Sequence, residues 1–469
     1  MTIKFLSSLF SDSSNRQTNN THDNGKYWMN MSYGIIATII FALSLFPYTS
    51  IVRTPFDTQP WALIVSIVFA IVLIIKDKNI YFPRPLLILL AIVFYAGLVC
   101  AFDIVTGKSN LLGALRVYAE YVSVFTLAFI GYKTFAYINV KIFFIAIGAW
   151  FMAGAIQFIF GARVLIDILP RISTGGYRGL TSLAPEPALY AAFCVALLVL
   201  NEFFYINKKY KTLIYLGIFF LLALQIISSY SGVGVMTLIL LGLAKIIQLI
   251  FFKEIKKEKV IIFITIIIII MSIGIFFRPS SPKKVTNNPI DNITSPSSPV
   301  KEVTPSSMVG SLSETRAGHL LKDSVTNPVA VFQKDLSVSR RLANPVLGIY
   351  AGLIKSHGLG MGLAVNNKDT MPAWLTSLLG ENRTYGAFGG KTEGGLVATI
   401  YELGIIGLLF TCTILWVVFY SVFRKTNVRP ALLVSTFALF GPMFLFGPIA
   451  FPLFGYILGV HLYYLYNDK

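Results

Sequence analysis

The sequence predicts an all-α, polytopic membrane protein with about twelve transmembrane helices and one large extracytoplasmic loop. Hydrophobic residues make up 55% of its 469 residues and charged residues 13%, with a mean hydropathy of +0.72. Soluble domains carry about 25% charged residues. Apolar runs long enough to span a bilayer follow one another along the chain. Lys and Arg concentrate in alternate short loops, as in proteins that cross the membrane repeatedly.

The apolar runs define the domain organisation. Residues 1–30 are polar and predict a disordered cytoplasmic tail. Residues 278–394 form the large loop, with a flexible linker at 279–310 and a helical cap at 311–394. Residues 31–277 carry the predicted spans 32–50, 60–76, 86–106, 117–137, 140–160, 187–207, 211–229, 232–252 and 259–277. Residues 395–469 carry the remaining three, at 395–423, 430–447 and 449–466.

Positive charge predicts the orientation of these spans. One set of alternate short loops carries Lys76, Lys78, Arg84, Lys133, Lys141, Lys208, Lys209, Lys211, Lys253, Lys256, Lys257, Lys259, Arg424, Lys425 and Arg429. The opposite set carries fewer cations, namely Arg53, Lys108, Arg116, Arg163, Arg171 and Arg178. Because positive loops stay in the cytoplasm, both termini are predicted there, and the large loop faces outward. The net charge of +18 follows this pattern, so we expect no nucleic-acid partner.

A polar stretch, TGGYRGLTSLAPEPALY at 174–190, joins two apolar runs on the outward side and contains Arg178 and Glu186. Charge at such a junction is costly unless it faces protein, water or a ligand. We therefore interpret this stretch as half of an active site. Glu186 lies between two prolines at the start of a span, where a carboxylate either caps the helix or acts as a general base.

The outward loops hold a surplus of cations next to the membrane: Arg163, Arg171, Arg178, Arg316, Arg340, Arg341, Arg383 and Lys391. Arginine guanidinium groups match phosphate oxygens in bidentate fashion. A lipid pyrophosphate at the outer leaflet would supply the missing negative charge. The alternative is pairing of these cations with lipid headgroups or with acids of the loops.

Three further residues are candidates for the site. Glu393 lies beside Lys391 at the start of the tenth predicted span and could reach the cap. Glu402 lies inside that span and should face the bundle interior, in either a structural or a functional role. His357 is a lone histidine in the glycine-rich segment HGLGMGL at 357–363. The His and Cys residues form no metal-ligating cluster, and Walker-type loops and Asp-x-Asp pairs are absent from the sequence. We expect neither a metal nor a cofactor.

Several of these segments resemble bacterial O-antigen and capsule repeat-unit polymerases of the Wzy type, within the O-antigen ligase-like superfamily. RGLTSLAPEP at 178–187 resembles the loop before the middle helices of these enzymes. SRR at 339–341, followed by IKSHGLGMGL at 354–363, resembles the end of their large periplasmic loop, and the run from Gly394 to Leu408 resembles the next helix. The related ligases often carry a histidine near the end of this loop. Residues 390–394 read GKTEG here, which favours a polymerase.

The resemblance implies a glycosyltransferase C-like fold in the bacterial inner membrane and a metal-independent polymerase. Such enzymes move a growing glycan from undecaprenyl pyrophosphate to the non-reducing end of the next lipid-linked repeat unit. On this interpretation Glu186 is the base for the acceptor sugar hydroxyl, and the expected stereochemistry is inversion. The cations assigned to the pyrophosphate are Arg178, Arg340, Arg341 and Lys391, with Glu393, Glu402, His357, Arg171 and Arg383 as further candidates. Expected partners are this lipid-linked oligosaccharide, membrane lipid and a chain-length regulator.

Two alternatives stay open at this point. A glycan ligase would share the chemistry of the site and differ in its acceptor. A transporter or flippase of lipid-linked oligosaccharide would also have about twelve spans. Transporters often show two similar halves, whereas the large loop here follows the ninth predicted span.

Overall fold

The computed structural model describes residues 24–49, 58–76, 81–160, 162–165, 169, 179–229, 231–251, 345–346, 348–365, 374, 395–424, 428–445 and 451–467. Within these residues all regular secondary structure is helical. The α-helices are α1 Asn24–Ser44, α2 Trp61–Lys76, α3 Arg84–Val105, α4 Leu111–Thr134, α5 Val140–Phe160, α6 Pro187–Ile206, α7 Thr212–Ser228, α8 Gly232–Phe251, α9 Gly395–Leu403, α10 Ile405–Arg424, α11 Arg429–Ser435, α12 Gly441–Leu445 and α13 Pro452–Tyr466. Shorter 3-10 segments span Phe135–Tyr137 and Ala162–Leu165, and π-helical segments span Tyr350–Lys355 and Thr436–Phe440.

Among the described helices, five are long and apolar enough to cross a membrane. They are Arg84–Val105, Leu111–Tyr137, Val140–Phe160, Pro187–Ile206 and Ile405–Arg424. Shorter apolar helices cover Tyr33–Ser44, Trp61–Ile75, Thr212–Ser228 and Met236–Ile247. These helices confirm the prediction of a helical membrane protein. The total of twelve spans stays a prediction, and the predicted span 259–277 lies outside the described residues.

Helix starts follow the local signals in the sequence. Pro83 and Pro85 flank the first residue of α3, and Pro187 opens α6, where the missing N–H costs no intrahelical bond. Asn110 caps α4, since its Oδ1 accepts a hydrogen bond from the Gly113 N–H at 2.6 Å. α3 and α6 therefore begin within two residues of the predicted starts of spans three and six. α4 begins at Leu111, six residues before the predicted start of span four.

The tenth span was predicted as one helix over 395–423, but the structure has two helices there. The chain breaks at Gly404, whose φ is +60°, and α9 folds back alongside α10. Thr399 Oγ1 donates to Gly407 O at 3.1 Å and Thr411 Oγ1 to Leu396 O at 2.9 Å, which sets the two helices antiparallel. The apolar run is therefore a hairpin, in which α10 has spanning length and the nine-residue α9 is buried along its whole length.

The eleventh predicted span, 430–447, corresponds to a helical stretch that begins at Arg429 and ends at Leu445. Its middle, Thr436–Phe440, is π-helical and lies just before Pro442. Proline removes a backbone donor inside a helix, and wider turns are one way in which a helix accommodates the loss.

Helices α4 and α13 pack closely against each other and run parallel. A Cβ on Gly131 would lie 2.4 Å from Tyr456 O, and one on Gly459 would lie 2.3 Å from Ala128 O. Gly455 contacts Val124 in the same way. Small residues at these positions let the two backbones touch, as is typical of helix pairs in membranes.

Helix directions define two ends of the bundle. α6 runs parallel to α13, because Phe193 meets Phe451 at 5.9 Å and Phe203 stacks on Tyr464 at 5.7 Å between ring centroids. The starts of α4, α6 and α13 therefore share one end, which we call the Glu186 end. The end of α3 lies there too, since α3 precedes α4 as its antiparallel neighbour.

The first helix runs in the opposite direction to α6. Near its C-terminal end, the Leu45 carbonyl accepts a hydrogen bond from Trp150 Nε1 at 2.9 Å, and Trp150 stacks on Phe193 at 3.9 Å. Earlier in α1, Phe41 meets Phe204 near the end of α6. α1 thus starts, and α13 ends, at the end of the bundle opposite Glu186. The compartment that each end faces stays a prediction.

Candidate functional site

The loop before α6 is held in place by one buried amide side chain, Gln157 of α5. Gln157 Oε1 accepts from the backbone N–H groups of Ser182 at 2.6 Å and Thr181 at 3.2 Å. Gln157 Nε2 donates to Thr181 Oγ1 at 3.0 Å and to the Ser182 carbonyl at 3.1 Å. One side chain therefore satisfies both backbone groups of Ser182, whose φ of +49° gives an uncommon conformation for a residue with a Cβ.

Two further contacts tie this loop to the helices on either side. Ser182 Oγ donates to the Trp150 carbonyl on α5 at 2.6 Å. The Leu180 N–H donates to the Ser228 carbonyl at the end of α7 at 3.0 Å. Thr181 and Ser182 are buried to 1% and 0% exposure. The described part of the loop, 179–186, is thus hydrogen-bonded to α5 and to the end of α7, and its centre is buried in the bundle.

Glu186 ends this loop and occupies the residue before the first turn of α6. Its backbone is extended, with φ −140° and ψ 148°, and its carbonyl accepts from the Tyr190 N–H at 3.0 Å. Its side chain makes no capping hydrogen bond to the helix, and it is half-buried. Glu186 therefore occupies the capping position of α6 without a capping hydrogen bond from its side chain. Its role as a base stays a prediction.

At the same end of the bundle, the glycine-rich turn 356–362 packs on the break between α9 and α10. We call this arrangement the glycine clasp, formed by Gly358, Gly360 and Gly362 against Gly404. All four have positive φ, from +60° to +99°. A Cβ on Gly404 would lie 2.0 Å from Gly358 O, and one on Gly360 would lie 2.4 Å from Glu402 O. Only glycine allows these backbones to approach so closely.

Backbone hydrogen bonds join the two sides of the clasp. The Met361 N–H donates to the Tyr401 carbonyl at 2.8 Å, and the Gly362 N–H to the Glu402 carbonyl at 3.1 Å. In return, the Ile405 N–H donates to the Gly358 carbonyl at 2.9 Å. These bonds satisfy groups that the break in the helix leaves open.

Asp103, near the end of α3, connects the clasp to the bundle. Its Oδ2 accepts from the Leu363 N–H at 2.7 Å, and the residue is 2% exposed. A Cβ on Gly362 would lie 2.5 Å from this oxygen, so glycine is needed beside the carboxylate. Ala364 lies against Gly113 at the start of α4. The segment that follows the clasp therefore rests on the α3–α4 corner.

Glu402, a predicted candidate, is the next-to-last residue of α9 and is 6% exposed. Its Oε2 accepts a hydrogen bond from the hydroxyl of Tyr121 on α4 at 2.6 Å. Glu120, also 6% exposed, lies close enough to act electrostatically on both residues. Two buried carboxyl groups thus lie near one another where α4 meets α9, next to the glycine clasp.

His357, another predicted candidate, lies at the edge of the clasp with φ +53°. Its N–H donates to the Ile354 carbonyl at 3.2 Å, and its side chain is exposed. The other predicted site residues lie outside the described residues: Arg171, Arg178, Arg340, Arg341, Arg383, Lys391 and Glu393. The structure therefore brings Glu186, His357 and Glu402 to one end of the bundle, and the pyrophosphate contacts stay a prediction.

A buried ion pair at the opposite end of the bundle was missed by the sequence analysis. Lys245 Nζ of α8 donates to Glu202 Oε1 of α6 at 2.7 Å, with side-chain exposures of 9% and 6%. Tyr215 also donates to this carboxylate. Burial and the nearby Glu202 raise the pKa of Tyr210, whose hydroxyl donates to the Asn201 carbonyl at 2.9 Å.

The sequence contains a signal that would have identified most of these residues. Asp103, Glu202 and Lys245 are ionisable residues inside apolar runs, and such residues usually have partners within the bundle. Gln157 and Tyr121 carry a weaker signal, because amides and phenols are tolerated in spanning helices without a specific partner.

The fold and this arrangement define a helical membrane protein with a buried polar site at one end of its bundle. Comparison of the chain with protein-family models, with curated protein sequences and with solved structures finds no significant match.

Proposed function

We propose that this protein is a polymerase of undecaprenyl-pyrophosphate-linked oligosaccharide repeat units, a metal-independent and inverting glycosyltransferase of the bacterial inner membrane. The observation that carries the proposal is that two segments far apart in the sequence lie at the same end of a membrane bundle. One is the anchored loop that ends at Glu186, and the other is the glycine clasp. Both segments bear the sequence resemblance to Wzy-type polymerases.

In the proposed reaction, Glu186 takes the proton of the acceptor sugar hydroxyl as that oxygen attacks the anomeric carbon of the donor. The new carbon–oxygen bond forms while the bond between the anomeric carbon and the phosphate oxygen breaks. The lipid pyrophosphate leaves with the electron pair. Arg178, Arg340, Arg341 and Lys391 are assigned to the negative charge that develops on it. The Pro-Glu-Pro backbone and the Gln157 anchor support a rigidly held base.

The test is a gene deletion complemented with Arg178→Ala, Arg340→Ala or Glu186→Ala, scored by the glycan ladder. A polymerase predicts single repeat units without long chains in the deletion and in each variant. Wild-type polymer from all three variants contradicts the mechanism. Retained polymer that is no longer attached indicates a ligase instead, and accumulation of the intermediate on the inner leaflet indicates a flippase.

One observation favours a second candidate, a transporter or flippase of the lipid-linked oligosaccharide. The break at Gly404 makes a discontinuous helix, and Glu402 lies beside it with Glu120 nearby. Discontinuous helices and buried carboxyl groups are common at the ion and substrate sites of transporters.

Glu402→Gln separates the two candidates. A glutamine oxygen still accepts the Tyr121 hydrogen bond, so a polymerase in which Glu402 is structural keeps its glycan ladder. A transporter driven by protonation of Glu402 loses activity and accumulates intermediate on the inner leaflet. Glu402→Leu, which removes the acceptor, is the control for loss of folding in both cases.

A further inference from the structure

An apolar surface lies on the outside of the glycine clasp. Leu359, between the positive-φ residues Gly358 and Gly360, is 72% exposed. Ile354, at the end of the π-helical segment, is 62% exposed, and Ile405, the first residue of α10, is 60% exposed. Ile405 packs directly on Gly358, where a Cβ would meet its Cδ1 at 2.7 Å. The three side chains thus belong to one part of the molecule.

This surface continues into the outer face of α10. The exposed apolar residues of that helix recur at the helical period, at Ile405, Leu408, Leu409, Cys412, Trp416, Phe419, Tyr420 and Phe423. α10 is one of the helices with the length and composition to cross a membrane. An apolar stripe on such a helix faces lipid, and Ile405 joins the stripe to the clasp.

The depth of the clasp can be estimated from helix geometry. Tyr121 of α4 meets Phe410 of α10, with ring centroids 5.4 Å apart. Tyr121 follows Leu111, the first residue of α4, by ten residues, and Phe410 follows Ile405 by five. At about 1.5 Å per residue, the start of α10 lies about 7.5 Å below the start of α4.

The apolar surface of the bundle extends above that level. Leu112, in the first turn of α4, is 73% exposed, and Val105, at the end of α3, is 85% exposed. The clasp therefore lies at a level where the outer surface of the bundle is still apolar. Ser356 satisfies its polar atoms internally, with Oγ bonded to Gly352 O and to the Gly360 N–H. Lys355 and His357 lie at the polar edge of the clasp surface, since long basic side chains extend toward lipid headgroups.

We propose that the outer surface of the glycine clasp is immersed in the bilayer, with Ile354, Leu359 and Ile405 in contact with the acyl chains of lipid. The segment 354–363 then belongs to the membrane layer and not to the aqueous part of the large loop. This placement holds for either candidate function. It requires only that the bundle crosses the membrane.

The test uses spin labels on the full-length protein in lipid nanodiscs, with accessibility measured to oxygen and to a water-soluble nickel chelate. A label on the native Cys412 is the lipid-facing reference, because Cys412 is exposed on the α10 stripe while Cys100 and Cys194 are buried. Leu359→Cys and Ile354→Cys are each made in a Cys412→Ala background. Lys108→Cys, exposed in the α3–α4 turn, is the water reference in the same background.

The expected result is that labels at positions 359 and 354 match Cys412, with high oxygen and low nickel accessibility. Values that match position 108 overturn the proposal, because the surface then faces water. Low accessibility to both reagents also overturns it, since protein then covers the surface, either another segment or a second copy. Leu359→Trp gives a second readout that needs no label. The emission that this residue adds to that of the five native tryptophans is lost when the nanodisc lipids carry brominated acyl chains, and persistence of the added emission contradicts immersion.

Discussion

The carboxylate of Asp103 accepts a hydrogen bond from the backbone N–H of Leu363, 260 residues further along the chain, at 2.7 Å. This bond joins the end of α3 to the segment that follows the glycine clasp. Both partners are buried, so the carboxylate has little access to water. The contact also explains why a glycine precedes Leu363, since any side chain at Gly362 would meet the same carboxylate.

Replacement of Asp103 by alanine should destabilise the protein by about 1–3 kcal/mol, because the Leu363 N–H is left buried without its acceptor. Asp103→Asn keeps an oxygen in the same place and should recover most of this loss. Thermal unfolding of the purified protein in nanodiscs measures the difference. Equal losses for alanine and asparagine would show that the hydrogen bond is not the cause.

Gly404→Ala should prevent the clasp from forming. The new Cβ would lie 2.0 Å from the Gly358 carbonyl oxygen, on a residue whose φ of +60° already disfavours a side chain. The readout is the yield of monodisperse protein after membrane extraction. Gly217→Ala is the matched control, because nothing lies within 4 Å of its Cβ position on α7. Alanine in a helix interior is roughly 0.5–1 kcal/mol more favourable than glycine, so this variant should behave at least as well as wild type.

Gln157→Leu should release the loop that carries Glu186. It removes the acceptor for two backbone N–H groups and the donor to the Ser182 carbonyl. Gln157→Glu keeps the acceptor and, as a neutral carboxylic acid, has an O–H that can donate to that carbonyl, so it should have a smaller effect. Limited proteolysis of membrane vesicles reports exposure of the loop, and the glycan ladder reports activity. Protection that is the same in leucine, glutamate and wild-type proteins would refute the anchor.

The Glu202–Lys245 pair should show strong coupling. Lys245→Met leaves a buried carboxylate without its cation, which costs about 3–5 kcal/mol. The double variant Glu202→Gln, Lys245→Met removes both charges and should be less damaging than Lys245→Met alone. Unfolding free energies of the two single variants, the double variant and wild type form the required cycle. Additive single losses would mean that the 2.7 Å contact contributes no coupling.

Local patterns in the chain were sufficient to place most helices. The predicted span 140–160 coincides with Val140–Phe160, and the predicted span 187–207 matches Pro187–Ile206 to within one residue. Hydropathy and proline position act on neighbouring residues, so a window along the chain captures them. The same reasoning identified Glu186 and Glu402 as residues at or inside helices where charge requires a partner.

The partners themselves depend on contacts between distant parts of the chain. Glu402 meets Tyr121 across 281 residues, and Asp103 meets Leu363 across 260. The chain reversal at Gly404 could not be predicted from the sequence, because both helices of the hairpin are apolar and together have the hydropathy of one long helix. Local chemistry thus established that the chain enters the membrane and where most helices begin. Which helices touch, and which polar groups meet between them, was decided by packing, since hydrophobic burial has no direction and only shape and hydrogen-bond geometry select the neighbours.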